Sequence, residues 1–217
     1  MQPPRPFEIK NQQLWISPGR ALYWEEEKAL VTSDLHFGKT GHFRKAGIAV
    51  PPAVFKEDLQ RLFNEIQYFQ PQTLIVVGDL FHSRQNKELE LFQKWREDLP
   101  YIKMNLIKGN HDILKDSWYE SAGIEVQKES LSMGNFCFQH DMTGCEKQPD
   151  SYLFSGHIHP GIVINGLGKQ SLRFPCFYFT KDYCVLPAFS RFTGVYLIDP
   201  KPGEEVFAIV NNSIVHL

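Results

Sequence analysis

"TLIVVGDLFH", residues 73–82, decides how this chain is read. Residues 73–77 are apolar without alternation, so a strand here is covered on both faces, as in the middle of a parallel sheet. The run then ends abruptly in Gly78–Asp79 and, shortly after, His82. A buried strand that stops on a carboxylate suggests a ligand at its carboxyl end. The neighbours fit this reading. Upstream, "PPAVFKEDLQRLFNEIQYFQ" (51–70) places Val54, Phe55, Leu59, Leu62, Phe63 and Ile66 on one helical stripe, with two prolines suited to a first turn. Downstream, "NKELELFQKWREDL" (86–99) predicts a second helix, "IKMNLIKGNHD" (102–112) a strand ending in polar residues, and "SWYESAG" (117–123) a short helix stopped by Gly123. Before them, "QQLWIS", "RALYW" and "KALVTSD" read as strands. Alternating strand and helix implies a largely parallel sheet.

The second half changes character. "FCFQHD", "SYLFSGHIHPGIVI", "SLRFPCFYF", "DYCVLPAF", "TGVYLID" and "EEVFAIV" are successive strand-like pieces separated by Gly, Pro, Asn or Asp, which predicts hairpins in place of crossovers. The expected fold is α/β: two packed mixed β-sheets flanked by helices. No linker, repeat or low-complexity stretch divides residues 1–217, so a single domain is expected, and 42% hydrophobic content in 217 residues is ample for one core. A net charge of −2 argues against coating nucleic acid by bulk electrostatics, so phosphate binding would have to be local. The start has no apolar segment of a secretory leader, and no apolar run is long enough to span a bilayer. Cys137, Cys145, Cys176 and Cys184 form no C-x-x-C pair, which suits reduced thiols in the cytoplasm.

Seven of the eight histidines fall before residue 160, most of them where a strand gives way to a loop. They cluster with carboxylates or an amide: Asp34/His36, Asp79/His82, Asn110/His111/Asp112, His140/Asp141 and His157/His159. Residues two apart on a strand point the same way, so Asp34/His36 and His157/His159 could each present two ligands on one side. A lone D-x-H or H-x-H is more often a surface pair than a site. Five such clusters, nearly all after apolar strands, point to a site. Carboxylate, imidazole and amide oxygen without thiolate suit Mn, Fe, Zn or Ni in an open site. The donors outnumber what one tetrahedral ion needs, so two ions sharing a carboxylate is the natural reading, and such pairs clamp a phosphoryl group during in-line attack.

The ordered series D-x-H, G-D, G-N-H-D, H, G-H-x-H resembles that of the calcineurin-like metallophosphoesterases, over residues 30 to 160. The resemblance implies that Asp34, His36 and His159 hold one metal, that Asn110, His140 and His157 hold the other, and that Asp79 bridges them. It implies a metal-bridging hydroxide as nucleophile. His111 would then stabilise the transition state or protonate the leaving oxygen, with Asp112 orienting it.

The longer string "SDLHFGKTGHFRKAGIAVP" (33–51), with "GDLFHS" and "LPAFSRFTG", is similar to the bacterial DNA-ligase-associated metallophosphoesterases, the DNA damage response endonucleases. It departs from them at Ser190 and Val195, where glycines are usual. The likeness implies a dimetal phosphodiesterase of DNA repair, Mn as the first choice of metal, and an ATP-dependent DNA ligase, a helicase and a nuclease as partners. Gly38 lets the chain turn away from His36. Lys39 and Arg44 would meet phosphates flanking the scissile one, Arg as a fork and Lys as a point charge, and His42 and His82 are further candidate substrate contacts. Basic runs are usually solvated faces; following directly on two ligand candidates favours contact here. Two other readings keep the same residues: a phosphomonoesterase or cyclic-nucleotide phosphodiesterase, and a metal-stabilised adapter without catalysis. Oligomeric state is not legible.

Overall fold

The computed structural model describes residues 2–39, 53–82, 87–143, 151–166 and 170–217. The apolar run 73–77 forms β5 (Thr73–Val77), an inner strand of a seven-stranded sheet. Its partners in spatial order are β1 (Arg5–Ile9), β2 (Gln12–Ser17), β3 (Ala21–Trp24), β4 (Ala29–Thr32), β5, β6 (Lys103–Ile107) and β7 (Ile124–Gln127). The pairs β1 through β4 are antiparallel, and β4 through β7 are parallel, as the alternation with helices requires. Three helices are described: α1 (Ala53–Phe69), α2 (Lys87–Glu97) and α3 (Asp116–Ser121). Phe55, Leu62 and Ile66 of α1, Leu89 and Phe92 of α2 and Tyr119 of α3 pack into one core with Leu74, Val76, Met104 and Leu106 of the sheet.

The second sheet follows the order β14 (Tyr196–Leu197), β11 (Pro160–Asn165), β12 (Ser171–Phe179), β13 (Tyr183–Val185), β10 (Tyr152–Ser155), β9 (Phe136–Gln139), β8 (Ser130–Met133), with β15 (Glu205–Val210) on β12 and β16 (Ser213–His216) beyond it. The sheets meet over a second core, in which Leu14, Trp24, Val31, Ile75 and Val77 face Phe136, Phe138, Phe154, Phe177 and Phe207. Each apolar face of β5 is thereby covered, one by helices and one by a sheet. This is the fold class expected from the sequence: two packed mixed β-sheets with helices outside.

Two expectations need correction. Hairpin pairing holds for β8–β9, β11–β12, β12–β13 and β15–β16, but β10 runs parallel to both β9 and β13. The parallel arrangement carries the ends of β9 and β10 to the same edge, as it does for β4, β5 and β6. And "SYLFSGHIHPGIVI" is not one strand. It breaks between β10 and β11, with His157 and His159 both at positive φ, 70° and 53°. Asp34 and His36 likewise lie beyond the end of β4, at φ 55° and 49°. Their side chains are aimed by left-handed loop backbone, not by strand alternation.

Candidate metal centre

The parallel strands deliver their C-terminal ends to one rim. Asp34 and His36 follow β4, Asp79 follows β5, Asn110 to Asp112 follow β6, His140 follows β9, and His157 and His159 follow β10. All of the metal-ligand candidates read from the sequence meet there. On one side, Asp34 Oδ1 stands 3.2 Å from His159 Nε2, and the Nε2 atoms of His36 and His159 are 3.3 Å apart. On the other, His140 Nε2 lies 3.3 Å from Asn110 Oδ1 and 3.3 Å from His157 Nδ1. Asp79 Oδ2 stands between them, 3.9 Å from His36 Nε2 and 3.6 Å from His140 Nε2.

The donor chemistry of this cluster fits cations. His140 Nδ1 faces the Val77 carbonyl at 3.0 Å, so that nitrogen carries the proton and donates, leaving the Nε2 of a neutral ring as a lone-pair acceptor. That acceptor faces Asn110 Oδ1 and Asp79 Oδ2, two further acceptors. On the other side, Asp34 Oδ1 is fully buried without a hydrogen-bond donor. Acceptors do not converge on one another in a buried site unless something positive lies between them. Two groups have the ligand-atom spacing a metal needs, Asp34/His36/His159 and Asp34/Asp79/His140.

Burial holds the His36 ring down to about 2, against the pull of Asp34, so it is a neutral donor. Burial also raises the pKa of Asp79, with Asp34 adding to it and His140 and the His111 N–H opposing. Burial alone would raise Asp34 too, but the His159 ring, 3.2 Å from its Oδ1, brings it below the ordinary carboxylate range. Two carboxylates this close, both buried, are a shared demand for positive charge.

The supports are as specific as the ligands. Ser33 Oγ donates to Asp34 Oδ2 at 2.6 Å or to the Val77 carbonyl at 2.7 Å. The His157 N–H donates to Asp34 Oδ2 at 3.1 Å, and the His111 N–H to Asp79 Oδ1 at 2.8 Å. Asp112 receives the N–H groups of Phe81 (3.1 Å) and Gly109 (2.9 Å) and the Tyr119 hydroxyl (3.3 Å), so its carboxylate ties the turn after β6 to the turn after β5. Its influence on His111 runs through that turn. Burial raises the Asp112 pKa to about 6. The His111 ring stands at the mouth, 42% exposed, with Nε2 4.0 Å from Asp79 Oδ2 and its ring 4.1 Å from that of His82. Lys39 is half-buried, lines a small cleft beside His36 and is close enough to Asp79 and Asp34 to feel their charge. His42 and Arg44, candidate substrate contacts, lie outside the described residues.

Reading the sequence missed two kinds of support. One is the glycine before Asp79, Asn110 and His157. A Cβ on Gly78 would fall 2.0 Å from His140 Nδ1, and one on Gly156 would fall 1.8 Å from Ser33 Oγ. The signal was available, since a glycine precedes three of the clusters. The other is a splint of chain, residues 188–190. The Phe189 N–H donates to the Ser33 carbonyl at 2.8 Å and the Ser190 N–H to the Asp34 carbonyl at 3.2 Å. Its own carbonyls are held by arginines: Arg20 bonds those of Ala188 (3.0 Å) and Ser190 (2.6 Å), and Arg61 bonds that of Phe189 while lying 4.3 Å over its ring.

A family model described as calcineurin-like phosphoesterase matches residues 27–140, more than half of the chain and including Asp34, His36, Asp79, Asn110 and His140. No curated protein sequence matches. Among solved structures, the chain is similar to the Pseudomonas putida nuclease MPE, with a TM-score of 0.83 and 28% identity over 99% of this chain and 100% of that one. Weaker likenesses are to Yfce, a phosphoesterase from E. coli (TM-score 0.47, 13% identity, 87% of this chain and 97% of that one), and to a protein of unknown function from Aquifex aeolicus (0.43, 17%, 65% and 82%). With the ligand series, the strand-end geometry and the family model in agreement, the chain belongs to the calcineurin-like phosphoesterase family.

Proposed function

We propose that this chain is a two-metal phosphodiesterase that cuts nucleic acid, DNA in a repair setting. The observation that carries the reading is Asp79 Oδ2 standing between His36 Nε2 and His140 Nε2, with further oxygen and nitrogen ligand atoms converging on each side. Asp34, His36 and His159 would hold one ion, Asn110, His140 and His157 the other, and Asp79 would be shared. This donor set suits Mn, Fe, Zn or Ni, and the motif resemblance puts Mn first. Two such ions would supply Lewis acidity toward a phosphoryl oxygen and lower the pKa of bound water toward neutral. The chain's own part is to position and to move protons. A water-derived oxygen adds to phosphorus as the ester P–O bond opposite it breaks, and His111, exposed at the mouth, gives a proton to the departing oxygen. Lys39 and His82, beside His36 and His111, would contact the substrate; Arg44 and His42 would extend that contact. The core shared by the two sheets supports reading residues 1–217 as one domain.

The likeness to a nuclease along the whole length supports the choice of nucleic acid over a small phosphoester. A ligase-linked repair role, with an ATP-dependent ligase, a helicase and a nuclease as partners, follows from the motif resemblance, and a cytoplasmic setting from the cysteine pattern. The test is hydrolysis of bis(p-nitrophenyl) phosphate against p-nitrophenyl phosphate, with Mn²⁺ and with chelator, in the wild type and in Asp79→Asn. Chelator-sensitive preference for the diester, lost with Asp79, is the expected result. Preference for the monoester would make the chain a phosphomonoesterase, and silence on both with two metals bound would make it an adapter.

A further inference from the structure

The loop after the 188–190 splint is anchored at both ends to the ligand backbone. At its start the Ser190 N–H bonds the Asp34 carbonyl at 3.2 Å, and at its end the Tyr196 N–H bonds the His159 carbonyl at 2.9 Å. Within it, Ser190 Oγ accepts the Phe192 N–H at 3.2 Å and the Ser190 carbonyl accepts the Thr193 hydroxyl at 3.2 Å. Val195 is seated so closely on β11 that a Cβ at Gly161 would lie 2.6 Å from its own. The loop is therefore a fixed rim of the metal centre. What it exposes is an aromatic ring and positive charge. Tyr196 is 65% exposed although its backbone touches a ligand residue. One flank of the loop is a hollow of about 630 Å³ lined by Lys56, Arg61, Arg191 and Asn212, with Glu57 as an acidic member. The other is a hollow of about 390 Å³ lined by Arg20, Arg173 and Thr193. This gathering of cations lies in a chain of net charge −2. A solvated basic face would not explain an exposed tyrosine whose backbone is bonded to a ligand residue, at the end of a loop whose Arg191 lines one hollow and whose Thr193 and Val195 line the other beside Arg173. Stacking rings set among cations are what an unpaired nucleic-acid strand uses.

We propose that the loop from Ser190 to Tyr196 is the platform for the strand flanking the scissile phosphate, with Tyr196 stacking on a base and Arg191 and Arg173 meeting backbone phosphates. This rests on the nuclease reading above and extends it to a named surface. Arg191 keeps its guanidinium near Asn212 Oδ1 at 3.1 Å, which holds it over the larger hollow.

The experiment measures kcat/KM of the Mn²⁺-loaded protein on a short dual-labelled single-stranded oligonucleotide, beside the unlabelled strand's affinity by competition at several salt concentrations. Tyr196→Ala should raise KM and lower kcat/KM by roughly tenfold or more, Tyr196→Trp should restore it and Tyr196→Leu should not. Arg191→Gln and Arg173→Gln should each flatten the plot of log affinity against log salt by about 0.7. Wild-type cleavage with all variants at the wild-type kcat/KM and salt slope overturns the platform and leaves the nuclease reading standing. A wild type that hydrolyses the small diester but neither binds nor cuts the strand overturns both. If Leu restores Tyr196→Ala as well as Trp does, the ring serves packing and the platform is wrong.

Discussion

Five of the residues at this centre, Asp34, His36, Asp79, His157 and His159, have positive φ without being glycine. Each such residue costs of order 1–3 kcal/mol and persists only where its surroundings over-determine it. Here the surroundings are hydrogen bonds that fix carboxylate oxygens and one ring tautomer, so the strain is spent on aim. The glycines beside them allow that packing. Gly78→Ala would force a Cβ against the His140 ring at a φ of 81° that alanine resists. It should break the Val77 contact, cost more than about 1 kcal/mol of stability, and lower Mn²⁺ stoichiometry in metal analysis. Unchanged stoichiometry would show that His140 Nε2 is not needed as a donor. His111 makes the opposite prediction. Its ring faces solvent while its backbone N–H holds Asp79, so His111→Ala keeps the metals and slows turnover by about a hundredfold or more. Isothermal titration with Mn²⁺ and single-turnover kinetics separate those two effects. That these residues would meet at one rim was legible from sequence because nearly every cluster ends an apolar run. Their left-handed backbone was not, because nothing in D-x-H distinguishes a strand from the turn beyond it.

At the scale of elements, legibility followed burial. Strands with apolar runs, such as β5, β9 and β12, announce themselves, whereas β1 and β16 at sheet edges have mostly half-exposed or exposed residues and no pattern to find. Helix α1 shows a subtler failure. Phe55, Leu62 and Ile66 of its apolar stripe enter the core as expected, but Asp58, Arg61 and Glu65, spaced for a single helical face, are buried as well. In sequence such a face is indistinguishable from a solvated one. Its burial is explained by the splint: Arg61, held by Asp58 at 2.9 Å, reaches the Phe189 carbonyl next to the Ser33–Asp34 anchor. Removing the cation alone leaves a buried carboxylate without its partner, so Arg61→Met should cost about 3–5 kcal/mol. Adding Asp58→Leu should recover a good part of it. Denaturant unfolding of the two variants measures this, and equal losses in single and double would mean that Asp58 is not stranded by the first change. Ser190, which stands where the resembling group has glycine, uses its hydroxyl to accept the Phe192 N–H and so stiffens the loop that follows.

The whole molecule brings the C-terminal ends of two independently ordered sheets to one rim, and the sheets hold that rim through a core of phenylalanines. Among the described residues, no helix is long and apolar enough to cross a membrane. Such a fold buries carboxyl groups wherever the rim and its supports are dry, and that sets how stability depends on pH. Glu65, fully buried against the turn at Gly19, is pushed up to about 7 by burial, with Ser17 and Arg61 pulling the other way. A carboxyl whose folded pKa exceeds its unfolded value keeps a proton in the folded state that the unfolded chain has released. Stability therefore falls as pH rises through the interval between the two values, from about 4.5 to about 7 here, and is level above it. At 1.36 kcal/mol per unit the loss is about 3 kcal/mol. Asp112 adds a slope of the same sign, ending at about 6. In chelator, where no metal competes for the rim carboxylates, His36, held down to about 2, contributes a slope of opposite sign up to about 6.5, so the Glu65 part is read as the difference in urea unfolding between the wild type and Glu65→Gln. Glu65→Gln should lose the Glu65 share of the slope across the whole interval from about 4.5 to about 7, keep below about 6 the share of Asp112, and be the more stable protein at pH 8. A Glu65→Gln profile parallel to the wild type across that interval would mean that Glu65 is ionised there already, with Arg61 as its counter-charge and not merely its neighbour.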